Sequence, residues 1–146
     1  SDETIRGLTP LFVRAFAADL LITMRQRDPL RFSVGVSRKI DSILLYLNQH
    51  FTADLTLQSI ADRFFLSRDY CNRLFHKSTG MTVMYYVKYS RVLYARQLLA
   101  DGMSATDAAA KSGFQDYSSF YRAYRRVTGR SPSDDYQVAE TASPGA

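Results

Sequence analysis

A chain of 146 residues has room for one medium domain or two small ones, and its 46% apolar share is enough for a core, which excludes wholesale disorder. No apolar run reaches the ~18 residues of a membrane span, no signal-peptide pattern opens the chain, and the single cysteine, Cys71, excludes an internal disulfide and a cysteine-pair zinc site. The net charge of +5 is unevenly placed: residues 117–130 carry Arg122, Arg125, Arg126 and Arg130 with no acid, a segment that suits an anionic polymer or a solvated helix face.

Glycine and proline are scarce and apolar residues recur at three and four, so helices are predicted throughout. The first spans about Leu8–Gln26 and ends before Asp28-Pro29. Residues 29–38 read as a linker, and a second helix follows at about Arg38–His50, with Ile40, Ile43, Leu44 and Leu47 on one face. Thr56 caps a short helix carrying Leu57, Ile60, Ala61 and Phe64 inward. A tight turn at Phe65–Ser67 leads to a helix at about Arg68–Ser78, closed by Gly80. Thr82 caps a long helix, about Val83–Leu99, that Asp101-Gly102 ends. Ser104, paired with Asp107, caps another short helix through Ala108, Ala109 and Ser112. Gly113-Phe114 turns the chain into a helix at about Tyr117–Thr128, closed by Gly129. Ser131-Pro132 starts a last short helix through Tyr136, and the tail at 138–146 is expected to be disordered.

Two of these segments are alike. FHKSTGMTV at 75–83 and YRRVTGRSP at 124–132 both run aromatic, basic, basic, any residue, Thr, Gly, any residue, hydroxyl, counting His76 as basic when protonated. The units at about 56–80 and 104–129 align with an offset of 48 in their first helix and 49 in their second. Two short helices joined by such a turn form a helix-turn-helix. Ala61 and Ala109 allow the helices to cross closely, while Leu66 and Phe114 plug the turns. In the second helices Cys71, Leu74 and Phe75, and then Phe120 and Tyr124, face inward.

The opposite stripes are polar and suit the major groove of B-DNA. Arg68, Asp69, Asn72 and Arg73, then Tyr117, Ser118, Tyr121 and Arg122, are the candidate base readers. Thr56, Ser67, His76, Lys77, Ser104, Arg125 and Arg126 are the candidate phosphate contacts. For Arg73 the competing role is a salt bridge to Asp69, and for Tyr117 and Tyr121 it is cover for the core edge. On the long helix Arg91 reads as structural, and a structural role is one option for Lys88. His50 and His76 do not form a metal pair, Cys71 reads as a small buried hydrophobe, and no constellation suggests catalysis; no cofactor is expected. The rival reading of the same faces is a helical protein–protein adaptor that binds a partner such as RNA polymerase.

About residues 39–137 resemble the AraC/XylS family of bacterial transcription regulators. The resemblance rests on GFQDYSSFYRAYRRVTGRSPSDDY at 113–136, on YVKYSRVLYARQLLADG with Arg91, Ala95, Leu98 and Leu99, and on IADRFFLSRDYCNRLFHKSTG. It implies an all-α, seven-helix DNA-binding domain of two helix-turn-helix subdomains joined by a linker helix. It also implies sequence-specific binding of double-stranded DNA, with base contacts from both units or mainly from the first, which points to Asp69, Asn72 and Arg73 and then to Tyr117, Ser118, Tyr121 and Arg122. Ala108, Tyr124, Cys71 and Gln137 stand where the family usually has Ile, Phe, Leu and Arg. Residues 1–38 fall outside the resemblance. Their helix, apolar on more than one face, reads as the end of an upstream sensor or dimerisation domain, or as a helix folded back on 39–50. The missing initiator Met fits a fragment, RNA polymerase and a second copy are the further partners expected, and a cytoplasmic location is expected.

Overall fold

The computed structural model describes residues 34–136; the helix expected at Leu8–Gln26 and the tail beyond 136 lie outside the described residues. Every regular element among the described residues is a helix, in two compact units. The first comprises 34–50 with 55–87, the second 51–54 with 88–136.

In the first unit, α1 spans Val34–His50, so residues 34–37 are helical where a linker was expected. Gly35 lies in the first turn, where the backbone N–H groups have no partner inside the helix. The stripe Ile40, Ile43, Leu44 and Leu47 is buried to 2% exposure or less. Helix α2, Leu57–Arg63, starts at a reciprocal cap. The Thr56 side chain accepts from Ser59 N–H at 3.0 Å and the Ser59 hydroxyl accepts from Thr56 N–H at 3.0 Å. Helix α3, Arg68–Thr79, is capped by Ser67 and ends at Gly80, whose φ is +76°. Ala61, Ile60, Cys71 and Phe75 close the crossing of α2 and α3 without solvent exposure. Burial also raises the pKa of the Cys71 thiol, consistent with its role as a small hydrophobe. Helix α4, Val83–Ala100, supplies its first residues to this unit. There the Tyr86 hydroxyl donates to Asn48 at 2.6 Å and its ring meets Phe75 edge-on at 5.6 Å.

In the second unit, the rest of α4 packs with α5, Ala105–Ser112, and α6, Tyr117–Thr128; residues 132–136 are helical too. Val92, Ala95, Leu98, Leu99, Ala108, Ala109, Phe120 and Tyr124 form its core. Arg91 is buried at 8% exposure, as its structural reading required. Its Nε donates to Phe51 O at 2.6 Å, its second guanidinium nitrogen donates to Ala53 O at 2.8 Å, and its charge lies 5.9 Å from the Phe114 ring centre. Burial lowers the Arg91 pKa, and the nearby Asp54 opposes that shift.

The recurring Thr-Gly ending has a shared geometry. The Thr79 hydroxyl donates to Phe75 O at 2.8 Å and accepts from Met81 N–H at 3.1 Å. Thr128 repeats both bonds, to Tyr124 O at 2.7 Å and from Arg130 N–H at 3.1 Å. Each threonine so satisfies an end-of-helix carbonyl and the first N–H past the left-handed glycine. Tyr124, in place of a Phe, gains a partner as well: its hydroxyl donates to Asp135, which Arg130 Nε holds at 2.9 Å and Arg96 approaches at 3.9 Å. Burial first, then this bond, pushes the Tyr124 phenol well above its usual pKa.

Candidate nucleic-acid interface

The second helix of each unit has one sealed face and one open face. In α3 the sealed residues are Cys71 and Phe75, both without solvent exposure, with Leu74 half-buried. Arg68, Asp69, Arg73, His76 and Lys77 are exposed. In α6 the sealed residues are Phe120 and Tyr124, and Tyr117, Ser118, Tyr121, Arg122, Arg125 and Arg126 are exposed. The expected polar stripes therefore exist as open faces, with one departure at Asn72.

Asn72 is half-buried, and its Oδ1 accepts from the backbone N–H of Val83 at 2.9 Å, at the start of α4. The pairing by which an asparagine recognises adenine uses its carboxamide oxygen as well as its nitrogen. That oxygen is already engaged here, so Asn72 joins α3 to α4 rather than presenting a full carboxamide outward. The contact spans 11 positions of sequence and leaves no periodic signal.

Arg73 has the ring of Tyr70 for a neighbour, with its guanidinium 6.0 Å from the ring centre. Tyr70 is 44% exposed and was not among the expected site residues; its spacing from Arg73 at i, i+3 is the signal that could have found it. Tyr117 covers the core edge and remains open to solvent. One side of it meets Phe120 at 5.6 Å, yet it stays 42% exposed and meets Tyr121 at 6.4 Å.

The expected phosphate hydroxyls are helix caps. Thr56, Ser67 and Ser104 accept from Ser59, Tyr70 and Asp107 N–H at 3.0, 3.2 and 3.2 Å. Capping uses a lone pair and leaves the hydroxyl hydrogen to donate, so cap and phosphate contact are compatible. Asp116, absent from the predicted caps, holds α6: its Oδ1 accepts from Ser119 N–H at 2.7 Å and its Oδ2 from the Ser119 hydroxyl at 2.9 Å. The backbone bond from Ser119 lowers the Asp116 pKa most, the Ser119 hydroxyl next, and Arg122 adds to the shift.

The depressed Asp116 pKa fixes the sign of a pH effect. Its contribution is present above the unfolded value, near 3.8, and is lost as pH falls through the lower folded value. Asp116→Asn keeps a capping oxygen but no charge. Unfolding midpoints measured from pH 7 to pH 2 are expected to show the wild type ahead at neutral pH. The two proteins should converge in acid, and parallel curves would contradict the assignment.

The turns of the two units differ. At matching positions stand Phe65, with φ +56° and 95% exposure, and Gly113, with φ +103°. A Cβ on Gly113 would lie 2.6 Å from Thr52 O and 2.9 Å from Thr52 Cα.

Among the described residues no group of His, Cys, Asp or Glu could hold a metal ion, and no helix is long and apolar enough to cross a membrane.

Paired helix-turn-helix units with open cationic faces on their second helices define a class of DNA-binding regulator. A family model described as a helix-turn-helix domain matches residues 60–137. The transcriptional activator RhaS of Citrobacter koseri is 32% identical over 116 residues, which cover 79% of this chain and 42% of that protein. The chain thus spans less than half the length of this curated relative. A probable AraC family transcriptional regulator from Rhodopseudomonas palustris is 27% identical with a TM-score of 0.64, covering 70% of this chain and 97% of that one. The DNA-binding domain of AdpA, solved in complex with a target DNA, shares the fold at a TM-score of 0.67 and 23% identity, covering 74% of this chain and 98% of that one. The chain belongs to the AraC/XylS family of helix-turn-helix DNA-binding regulators.

Proposed function

We propose that this chain is the DNA-reading part of a transcription regulator, and that α3 and α6 enter neighbouring major grooves on one face of the duplex. The observation that carries the reading is the exposure of Arg73 and Arg122 at matching positions of the two second helices, each opposite a sealed face. Helix α4, which contributes residues to both units, has 18 residues at ~1.5 Å each and is roughly 27 Å long. Such a chain reads two unlike half-sites, so its operator need not be palindromic.

Within the faces, Arg68, Asp69, Arg73, Tyr117, Ser118, Tyr121 and Arg122 take base edges. Thr56, Ser67, His76, Lys77, Ser104, Arg125 and Arg126 take phosphates. Asn72 sets the junction with α4. RNA polymerase and a second copy of the chain are the further partners in this reading, and the cytoplasm is its location.

The test is a titration with duplex DNA at several salt concentrations. Log affinity is expected to fall against log salt with a slope of roughly −0.9 per phosphate neutralised. Arg73→Ala should cost ~1–3 kcal/mol on the selected site and relax preference at one position, whereas Arg126→Ala should weaken all sequences alike. Absence of binding at low salt would favour the adaptor reading, and identical behaviour of the two variants would sink the division between base and phosphate contacts.

A further inference from the structure

We infer that Tyr117 and Tyr121 read thymine in the second half-site, through contact of their rings with the 5-methyl group. The inference rests on the DNA-reading proposal and adds the base class that α6 prefers.

Tyr117 and Tyr121 stand at i, i+4 on the open face of α6, 42% and 38% exposed, with ring centres 6.4 Å apart. Tyr117 is also braced from below by Phe120 at 5.6 Å, and Phe120 in turn meets Phe114 and Tyr124 at 5.3 and 5.5 Å. The pair is therefore a supported apolar platform. Exposed Ser118, Arg122, Arg125 and Arg126 lie around it on the same helix. Those arginines complement a polyanion, which favours DNA over an apolar protein groove as the occupant.

In the major groove every base presents donors or acceptors, and thymine alone adds a methyl group. An apolar ring surface gains nothing by desolvating a donor or acceptor it cannot satisfy, but it gains by covering a methyl. The first unit has no such pair at the matching positions, although Tyr70 of α3 is exposed. The positions matching Tyr117 and Tyr121, 49 residues earlier, are Arg68 and Asn72, and the Asn72 oxygen is held by Val83. Arg68 and Arg73 are exposed and suit guanine O6 and N7. The two units thus differ in the chemistry they offer, and the half-sites should differ accordingly.

The probe is a duplex recovered by this chain from a random DNA pool, with each thymine replaced in turn by deoxyuridine, which removes only the methyl. Wild-type affinity is expected to fall about fourfold at one or more thymines, the equivalent of the ~0.8 kcal/mol for burying one methylene-sized group. Tyr121→Ala should abolish that sensitivity at its own position while Tyr121→Phe retains it. Specific binding that is indifferent to deoxyuridine at every thymine overturns the inference and leaves the DNA-reading proposal standing. Loss of affinity in Tyr121→Phe equal to that in Tyr121→Ala overturns it in favour of a hydroxyl contact to phosphate. No binding to any duplex at low salt removes the proposal beneath it.

Discussion

Gly113→Ala is expected to destabilise the second unit by about 3 kcal/mol or more, among the largest effects available to a one-carbon change. Two terms add. The left-handed conformation, at φ +103°, costs a residue with a Cβ ~1–2 kcal/mol. The new methyl would also stand 2.6 Å from Thr52 O and 2.9 Å from Thr52 Cα, and these are backbone atoms rather than the end of a flexible side chain. Gly129→Ala is the control. Its φ of +73° carries the conformational term, but nothing lies within 4 Å of the added carbon, so about 1 kcal/mol is expected. Denaturant unfolding of the two variants measures the difference. Equal costs would mean that Thr52 moves aside freely.

Arg91→Met is expected to cost about 2–4 kcal/mol. The substitution keeps most of the side-chain volume and removes two charge-assisted bonds, to Phe51 O at 2.6 Å and Ala53 O at 2.8 Å. The relief of taking a charge out of a buried place offsets part of that loss. Arg91→Lys should fall between, because a single ammonium cannot reproduce the planar fork that reaches both carbonyls. The carbonyls that Arg91 holds flank Thr52, the residue that Gly113 approaches. The two substitutions should therefore be non-additive: with Arg91 gone the segment can yield, and Gly113→Ala should cost less. Strict additivity in the double variant would show that Arg91 does not stiffen 51–54.

Helix ends were legible in the chain because capping is local. Thr56, Ser104, Gly80, Gly113 and Gly129 act within four residues of where they stand, and all are found at the helix boundaries; Ser67 and Asp116, which start α3 and α6, were not among the expected caps. The buried stripes were legible because their spacing is periodic. The start of α1 was not: Val36 stands four residues before Ile40 and is half-buried, but the glycine beside it outweighed that one position of periodic signal. Contacts between distant positions were silent altogether. Asn72 reaches Val83, Arg91 reaches back 38 and 40 residues to Ala53 and Phe51, and Tyr124 meets Asp135 only because the chain returns. For the candidate interface the residue types and the open faces were readable. That one of those residues, Asn72, was already engaged could be learned only from the folded chain.

Phe65 and Gly113 stand at matching points of a duplicated design, yet exchange between them can run in one direction only. Glycine could replace Phe65 and release its left-handed backbone, and a side chain 95% exposed has little packing to forfeit. Phenylalanine could not replace Gly113, where Thr52 fills the space. The two copies are thus no longer interchangeable parts: a segment transplanted from the second into the first should be tolerated, while the reverse graft should fail at its first corner.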